Sequence, residues 1–323
     1  MKMRSFGVAT SWLAASVAAA ALIAVPTAKA QEDFPTKPVE MTILFGGTAQ
    51  TIGQLLADLM SKELGQPVVP VSRTGGGGAI GYSHVHSTRP DGYNIVWNSN
   101  SISSGYHQGN LPFNYEAFEP IARVTVEVPA LAVRADSGWE SLSDMVEAVK
   151  SGETKLKMGA SGQGSFTDLT AKALFQELGI EDKVVYVPYG DGKAPVELLA
   201  GRVDAAIQWP GQFIPHVQSG DLKMLCVTGS ERVEVIDDVP TCAEAGAGDL
   251  DITMWRGLAA PEGTPQEVVE KLQEAARKAA ESDQLKDASG KLGFEISFMD
   301  AQEFGELIAK DDEVIAELLK SGN

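Results

Sequence analysis

Val39-Glu40-Met41-Thr42-Ile43-Leu44-Phe45-Gly46-Gly47-Thr48-Ala49-Gln50 sets the pattern that the rest of the chain repeats. A mostly apolar run with β-branched residues predicts a strand over 39–45, and two glycines end it. Leu55, Leu56, Leu59, Met60 and Leu64 then recur at helical spacing until Gly65 stops them. Outward from this unit the alternation continues. A strand is expected over 67–71, a glycine loop at 75–78 with a short helix, and a strand over 93–97 after the turn Pro90-Asp91-Gly92. Further strands are expected over 155–158, 184–187, 203–207 and 222–227, with helices over 166–178, 194–200 and 212–218 between them. Such βαβ alternation implies an α/β fold with parallel or mostly parallel sheets and helices on both faces.

The last seventy residues read differently. Thr264-Pro265-Gln266-Glu267 has the form of a capping box with Pro at the first helical position, opening a helix to about 280. Asp300-Ala301-Gln302-Glu303 opens a last helix in the same way, with Phe304, Leu307, Ile308, Val314 and Leu318 as its expected buried stripe. A strand over 294–298 fits between them.

The start of the chain is a label and not fold. Lys2 and Arg4 precede a small-apolar run over 12–25, Pro26 breaks it, and Ala28-Lys29-Ala30 supplies a small-x-small cleavage pattern. The run is shorter than the roughly 20 residues that span a bilayer. A secretory signal peptide over 1–30 is therefore expected, and with it a periplasmic location. The full chain has 323 residues and a formal charge of −18; without residues 1–30, which carry three cations and no acid, the charge is −21. That balance argues against nucleic acid as a partner, because phosphate binding rests on clustered Lys and Arg. Cys226 and Cys242, the two cysteines, either close a short loop as a disulfide or remain free thiols.

Three glycine-rich loops each fall between a strand and a helix: Gly46-Gly47-Thr48-Ala49-Gln50, the loop 75–78, and Gly159-Ala160-Ser161-Gly162-Gln163-Gly164-Ser165. Singly each can be a tight turn. Together they form a candidate anion cleft, because glycine admits close approach and first-turn N–H groups favour negative charge. Nucleotide readings fail in detail. Gly76, Gly78 and Gly81 match G-x-G-x-x-G, yet no acid ends the following strand, and the 159–165 loop has no Lys before its Ser. Gly159-Ala160-Ser161-Gly162-Gln163 misses a nucleophile elbow at its last position. His84 and His86, two apart, fall on different sides of a helix, so no nucleophile–base pair is evident. No enzyme activity, cofactor or metal site is expected.

The mature chain resembles the periplasmic receptors of tripartite tricarboxylate transporters, the Bug family. The matching signatures run in order: Phe34-Pro35-Thr36-Lys37-Pro38, the Gly46-Gly47 loop, Leu64-Gly65-Gln66-Pro67-Val68-Val69, Gly75-Gly76-Gly77-Gly78-Ala79-Ile80-Gly81 and Pro90-Asp91-Gly92-Tyr93. Then come Val187-Pro188-Tyr189, Leu199-Ala200-Gly201-Arg202-Val203-Asp204, Asp238-Val239-Pro240-Thr241 and Ala260-Pro261-Glu262-Gly263-Thr264-Pro265. The resemblance implies a two-lobed, type II-like periplasmic binding protein, with lobes of 31–129 plus 254–323 and of 130–253. Two crossing strands, near 129–134 and 253–259, would join them. It also implies a monomeric solute receptor that closes on a small carboxylate, either a di- or tricarboxylate or an aromatic acid. Delivery would be to a permease of one large and one small membrane subunit driven by an ion gradient. A sensor or adaptor of the same fold is the alternative reading.

Carried onto this chain, the resemblance places first-lobe contacts at Gly47, Thr48, Ala49 and Gln50. Second-lobe contacts fall at Ser161, Gly164, Ser165, Phe166 and Thr167. Gln50 and Gln54 stand where relatives usually have Asp and Arg, Asp168 where many have His, and Gln208-Trp209 where they often have Asp-Asn. Ser165 either caps its helix or caps it and also meets ligand, while Trp209 offers a ring for stacking. Arg256, in Met254-Trp255-Arg256-Gly257, is either a bidentate carboxylate holder or half of a structural ion pair. Asn98, Ser99 and Asn100 add uncharged donors at a strand end.

Overall fold

The computed structural model describes residues 34–152, 155–248, 250 and 252–321; the expected leader over 1–30 lies outside the described residues. The chain runs first through β1 (Val39–Ile43), α1 (Thr48–Leu64), β2 (Val68–Ser72), α2 (Ala79–His86), β3 (Asn94–Ser99), α3 (Ser101–His107) and β4 (Phe118–Glu127). The chain then passes through β5 (Ala130–Arg134), α4 (Leu142–Ser151), β6 (Leu156–Ala160), α5 (Phe166–Glu177), β7 (Val184–Pro188), α6 (Ala194–Leu199), β8 (Ala205–Gln208), α7 (Pro210–Gln218) and β9 (Leu222–Val227). It returns through β10 (Met254–Pro261), α8 (Gln266–Glu281), α9 (Asp283–Leu292), β11 (Glu295–Met299) and α10 (Ala301–Ser321).

Two sheets result, one ordered β11-β4-β10-β3-β1-β2 and the other β7-β6-β8-β5-β9. β1 pairs in parallel with β2 and β3, and β6 with β7 and β8, as the βαβ alternation predicts. The strands at the crossings run antiparallel to their neighbours: β10 to β3 and β4, and β5 to β8 and β9. The sheets are therefore mixed, because a chain that leaves one sheet and comes back must run against the strands it rejoins.

Both faces of each sheet are covered. In the first, Ile52, Leu56 and Met60 of α1 and Val269, Leu272 and Ala276 of α8 bury one face, while Tyr82, Ile102 and Phe304 from α2, α3 and α10 bury the other. In the second, Met145 and Leu174 from α4 and α5 lie on one side and Leu198 and Phe213 from α6 and α7 on the opposite one. Gly257 in the central strand β10 permits this packing. A Cβ there would run into the Ala122 carbonyl and the Phe304 ring.

The crossing is stitched by Thr228, whose N–H donates to the Pro129 carbonyl at 2.9 Å and whose hydroxyl donates to the Ile252 carbonyl at 2.8 Å. Next to it Cys226 and Cys242 form a disulfide, tying the end of β9 to the following loop. Two details of the helices depart from expectation. Thr264 donates its hydroxyl to the Pro261 carbonyl and does not cap α8; Pro265, extended at ψ 136°, takes the N-cap position, so no capping box forms. Asp300 does cap α10, accepting from the Glu303 N–H at 2.9 Å. Along α10 the buried face passes through Ile315, and Val314 is exposed, because a turn of 3.6 residues moves the stripe by one position there. Leu318 lies outside the described side chains.

Candidate functional site

The carboxyl ends of β1, β3, β6 and β8 open onto a cavity of about 540 Å³ between the two sheets, within the roughly 300–1,000 Å³ usual for small-molecule sites. Leu44, Phe45, Gly46 and Ala49 line it from the β1–α1 turn, and residues 74–77 line it from the second glycine loop. Ser161 to Thr167 face it from the β6–α5 loop. Gln208, Trp209 and Gln212 come from the β8–α7 turn, and Met254 and Arg256 from the crossing strand β10. All three glycine loops recognised in the sequence therefore meet at one place.

The two helix ends at this cavity differ. α1 begins at Gly47 (φ 65°), with no side chain capping it and no acid in its first turn. Its first N–H groups lack acceptors within the helix, and its dipole presents positive potential to the cleft. Ala49 faces inward, whereas Gly47, Thr48 and Gln50 flank the lining residues. Each helical step rotates about 100°, which turns Gln50 off the cavity. α5 is closed by its own residues. Ser165 accepts from the Asp168 N–H at 3.3 Å, and Asp168 Oδ2 accepts from the Gly164 N–H at 2.8 Å and from Lys172 Nζ at 2.9 Å. The Ser161 N–H donates to Thr167 Oγ1 and the Ser165 N–H to the Gly162 carbonyl. The amides of Ser161, Gly164 and Ser165, expected to grip a carboxylate, are thus already bonded within the loop. Phe166 and Thr167 occupy the first turn of α5 and line the cavity.

Arg256 sits in mid-sheet, opposite Ser99 of β3 and Thr125 of β4. It is 2% exposed, and its Nε donates to Glu127 Oε1 at 3.1 Å, Glu127 being equally buried. Its guanidinium lies 5.5 Å from the centre of the Trp209 ring, close enough for a cation–π attraction. Nη1 has no hydrogen-bond partner. Of the two roles open to Arg256, the ion pair is present in the fold, buried and charge-balanced by Glu127, and Nη1 remains a donor to spare. Trp209 itself lies nearly parallel to Phe166, at 6.1 Å and 17°.

Asn98, Ser99 and Asn100 do not line the cavity; they support it. The Tyr82 hydroxyl donates to Asn98 Oδ1 at 2.7 Å, and burial pushes the Tyr82 phenol up to about 12, so it stays a neutral donor. Ser99 Oγ pairs with Ser101 Oγ, and Asn100 Nδ2 reaches the Thr253 carbonyl and Asp311. One turn further on, Ser101, Ser104 and Gln108 reach the cavity instead. The sequence signal for them is faint, a serine-rich run after a strand end, since neutral donors form no motif.

Two glutamines bridge the cleft. Gln108, following α3, donates from Nε2 to the Gly164 carbonyl at 2.7 Å. Gln212, on α7, places its amide where a Cβ at either Gly47 or Gly192 would meet it. Neither was legible as a site residue. Among the described residues no cluster of His, Cys, Asp and Glu could hold a metal, and no helix is long and apolar enough to cross a membrane. His84 is half-exposed beside Glu40, and His86 packs on the Phe113 ring.

The family described as "Tripartite tricarboxylate transporter family receptor" matches residues 52–323. A UPF0065 protein from the TAR-I ttuE-ttuC' intergenic region of Agrobacterium vitis is 32% identical over 280 residues, covering 82% of this chain and 78% of that protein. Among solved structures, MatC from Rhodopseudomonas palustris with bound malate superposes with a TM-score of 0.79 at 26% identity, over 88% of this chain and 99% of that one. Rpa4515 of R. palustris with adipate gives 0.81 at 25% identity, over 89% and 98%.

Proposed function

The chain belongs to the tripartite tricarboxylate transporter receptor family, and from that premise we propose that it is a non-catalytic receptor for a small organic carboxylate. It would work in the periplasm after loss of residues 1–30, and its lobes would be 31–129 with 254–323 and 130–253. The ligand would lie between the lobes and pass to a permease of one large and one small membrane subunit, driven by an ion gradient.

The uncapped amino end of α1 at the cavity wall is the observation that carries this reading. Its N–H groups offer a carboxylate the partners that water supplied outside. Around them, Gly46, Ala49, Ser161, Phe166, Thr167, Trp209 and Arg256 supply a wall of donors and apolar surface. The malate and adipate held by the two structural relatives support a carboxylate as cargo. Gln108 and Gln212, one from each side of the cleft, would secure the closed state.

Thermal unfolding of the mature chain tests the proposal. A ligand at a hundredfold excess over its Kd stabilises by about 2.7 kcal/mol, which raises the Tm of a protein this size by roughly 5 °C. Such a rise is expected with at least one acid among citrate, C4 to C6 dicarboxylates, nicotinate, benzoate and the phthalates. No rise with any of them would overturn the reading.

A further inference from the structure

Asp168 holds the amino end of α5 from within the protein. Its side chain, 6% exposed, takes the Gly164 N–H and Lys172, while the Ser161 and Ser165 N–H groups are bonded inside the same loop. The amino end of α1, a 17-residue helix, carries no cap and no acid. One helix end is open to an anion and the other already faces a carboxylate. Independently, Arg256 Nη1 is buried at the cavity wall without a partner, although the charge of its guanidinium is balanced by Glu127. Among the described lining residues Arg256 is the only charged one. Beside the α1 amides the cavity thus offers one spare buried guanidinium donor, and its one charged lining side chain is balanced by Glu127. Phe166 and Trp209, stacked nearly parallel, give the cavity an aromatic wall.

We propose that the cleft selects a monocarboxylate with a flat apolar body, and that Asp168 is the residue that excludes a second carboxylate. The inference rests on the receptor reading above and narrows it. A diacid spanning the cleft would bring its far carboxylate to α5, where the loop amides of Ser161, Gly164 and Ser165 are taken and Asp168 repels it. Lys172 offsets that charge only in part, because its side chain is 38% exposed and screened by water. A monoacid meets no such group. Its carboxylate lies at α1, and its body lies on Phe166 and Trp209, where a ring gains offset stacking beyond its buried area.

Titration calorimetry on the mature chain with two matched pairs, benzoate against terephthalate and hexanoate against adipate, tests the inference. The monoacid of each pair is expected to bind at least about tenfold tighter, and benzoate tighter than hexanoate. Asp168→Asn keeps an oxygen for the Gly164 N–H and removes the charge, so it should shift the terephthalate-to-benzoate ratio at least fivefold, by order of magnitude, toward the diacid. Lys172→Ala should shift the ratio the other way. Diacids that bind native protein as tightly as monoacids would overturn the inference and leave the receptor reading standing. Asp168→Asn moving both ligands equally would overturn the role of Asp168, and hexanoate binding more tightly than benzoate would overturn the flat body. If none of the four binds and no wider acid raises the Tm, both readings fall.

Discussion

At Arg256 the guanidinium donates through Nε to Glu127 while its Cζ lies over the Trp209 ring. A buried charge left alone is costly, so the pair is best tested by removing the member that does not line the cavity. Glu127→Ala strands the Arg256 cation and should cost roughly 3–5 kcal/mol in urea unfolding. A loss below about 1 kcal/mol, the range of an exposed pair, would show that the pair is not buried in solution. Arg256 was legible because Met254-Trp255-Arg256-Gly257 lies at a crossing. Its partner was not, because Glu127 is 129 residues away and no local pattern links the two. The same limit hid Gln108 and Gln212, whose role comes only from the approach of distant segments. Ser165 was legible as a cap from Ser165-Phe166-Thr167-Asp168, whereas the hold of Asp168 on the Gly164 N–H shows only in the fold.

The elements that frame the cleft were the most legible part of the chain. β1, α1, β2, β6, α5 and β9 lie within a few residues of their expected places or start earlier, because apolar periodicity and glycine stops report them directly. α3 was not foreseen. Ser101-Ile102-Ser103-Ser104-Gly105-Tyr106-His107 contains poor helix formers and owes its shape to burial under α10. That contact includes Asp311 on α10, which accepts from Trp255 Nε1 at 2.7 Å and from Asn100. Burial holds the Asp311 carboxyl above its ordinary range, the two donors offsetting part of the rise. A raised folded value stabilises the fold below the unfolded value, near 4, and that contribution is lost as pH rises through the folded value. Asp311→Asn keeps an oxygen for Trp255 and removes the titration. Its stability relative to native protein should therefore improve as pH goes from about 4 to 7. A relative loss over that window would contradict the assignment.

At the scale of the whole molecule, the acid excess and the choice of an anion as cargo have to be reconciled. A chain at −18, or −21 without residues 1–30, does not attract a carboxylate from a distance. Screening within about 8 Å at physiological salt confines the attraction to groups inside the cleft. Those groups are the open end of α1 and the spare donor on Arg256, both drawn together by the way the chain crosses twice between its sheets. The two-lobed α/β class followed from the strand–glycine–helix repeat and the family signatures. The mixed strand order came from the crossings, which leave no periodic trace. Native mass spectrometry of protein purified without refolding tests the account most directly. It should show a single small organic acid bound one to one and released on activation, or taken up when carboxylates are added to stripped protein. A bound sugar, amine or nucleotide, or a chain that gains no mass from any carboxylate, would contradict it.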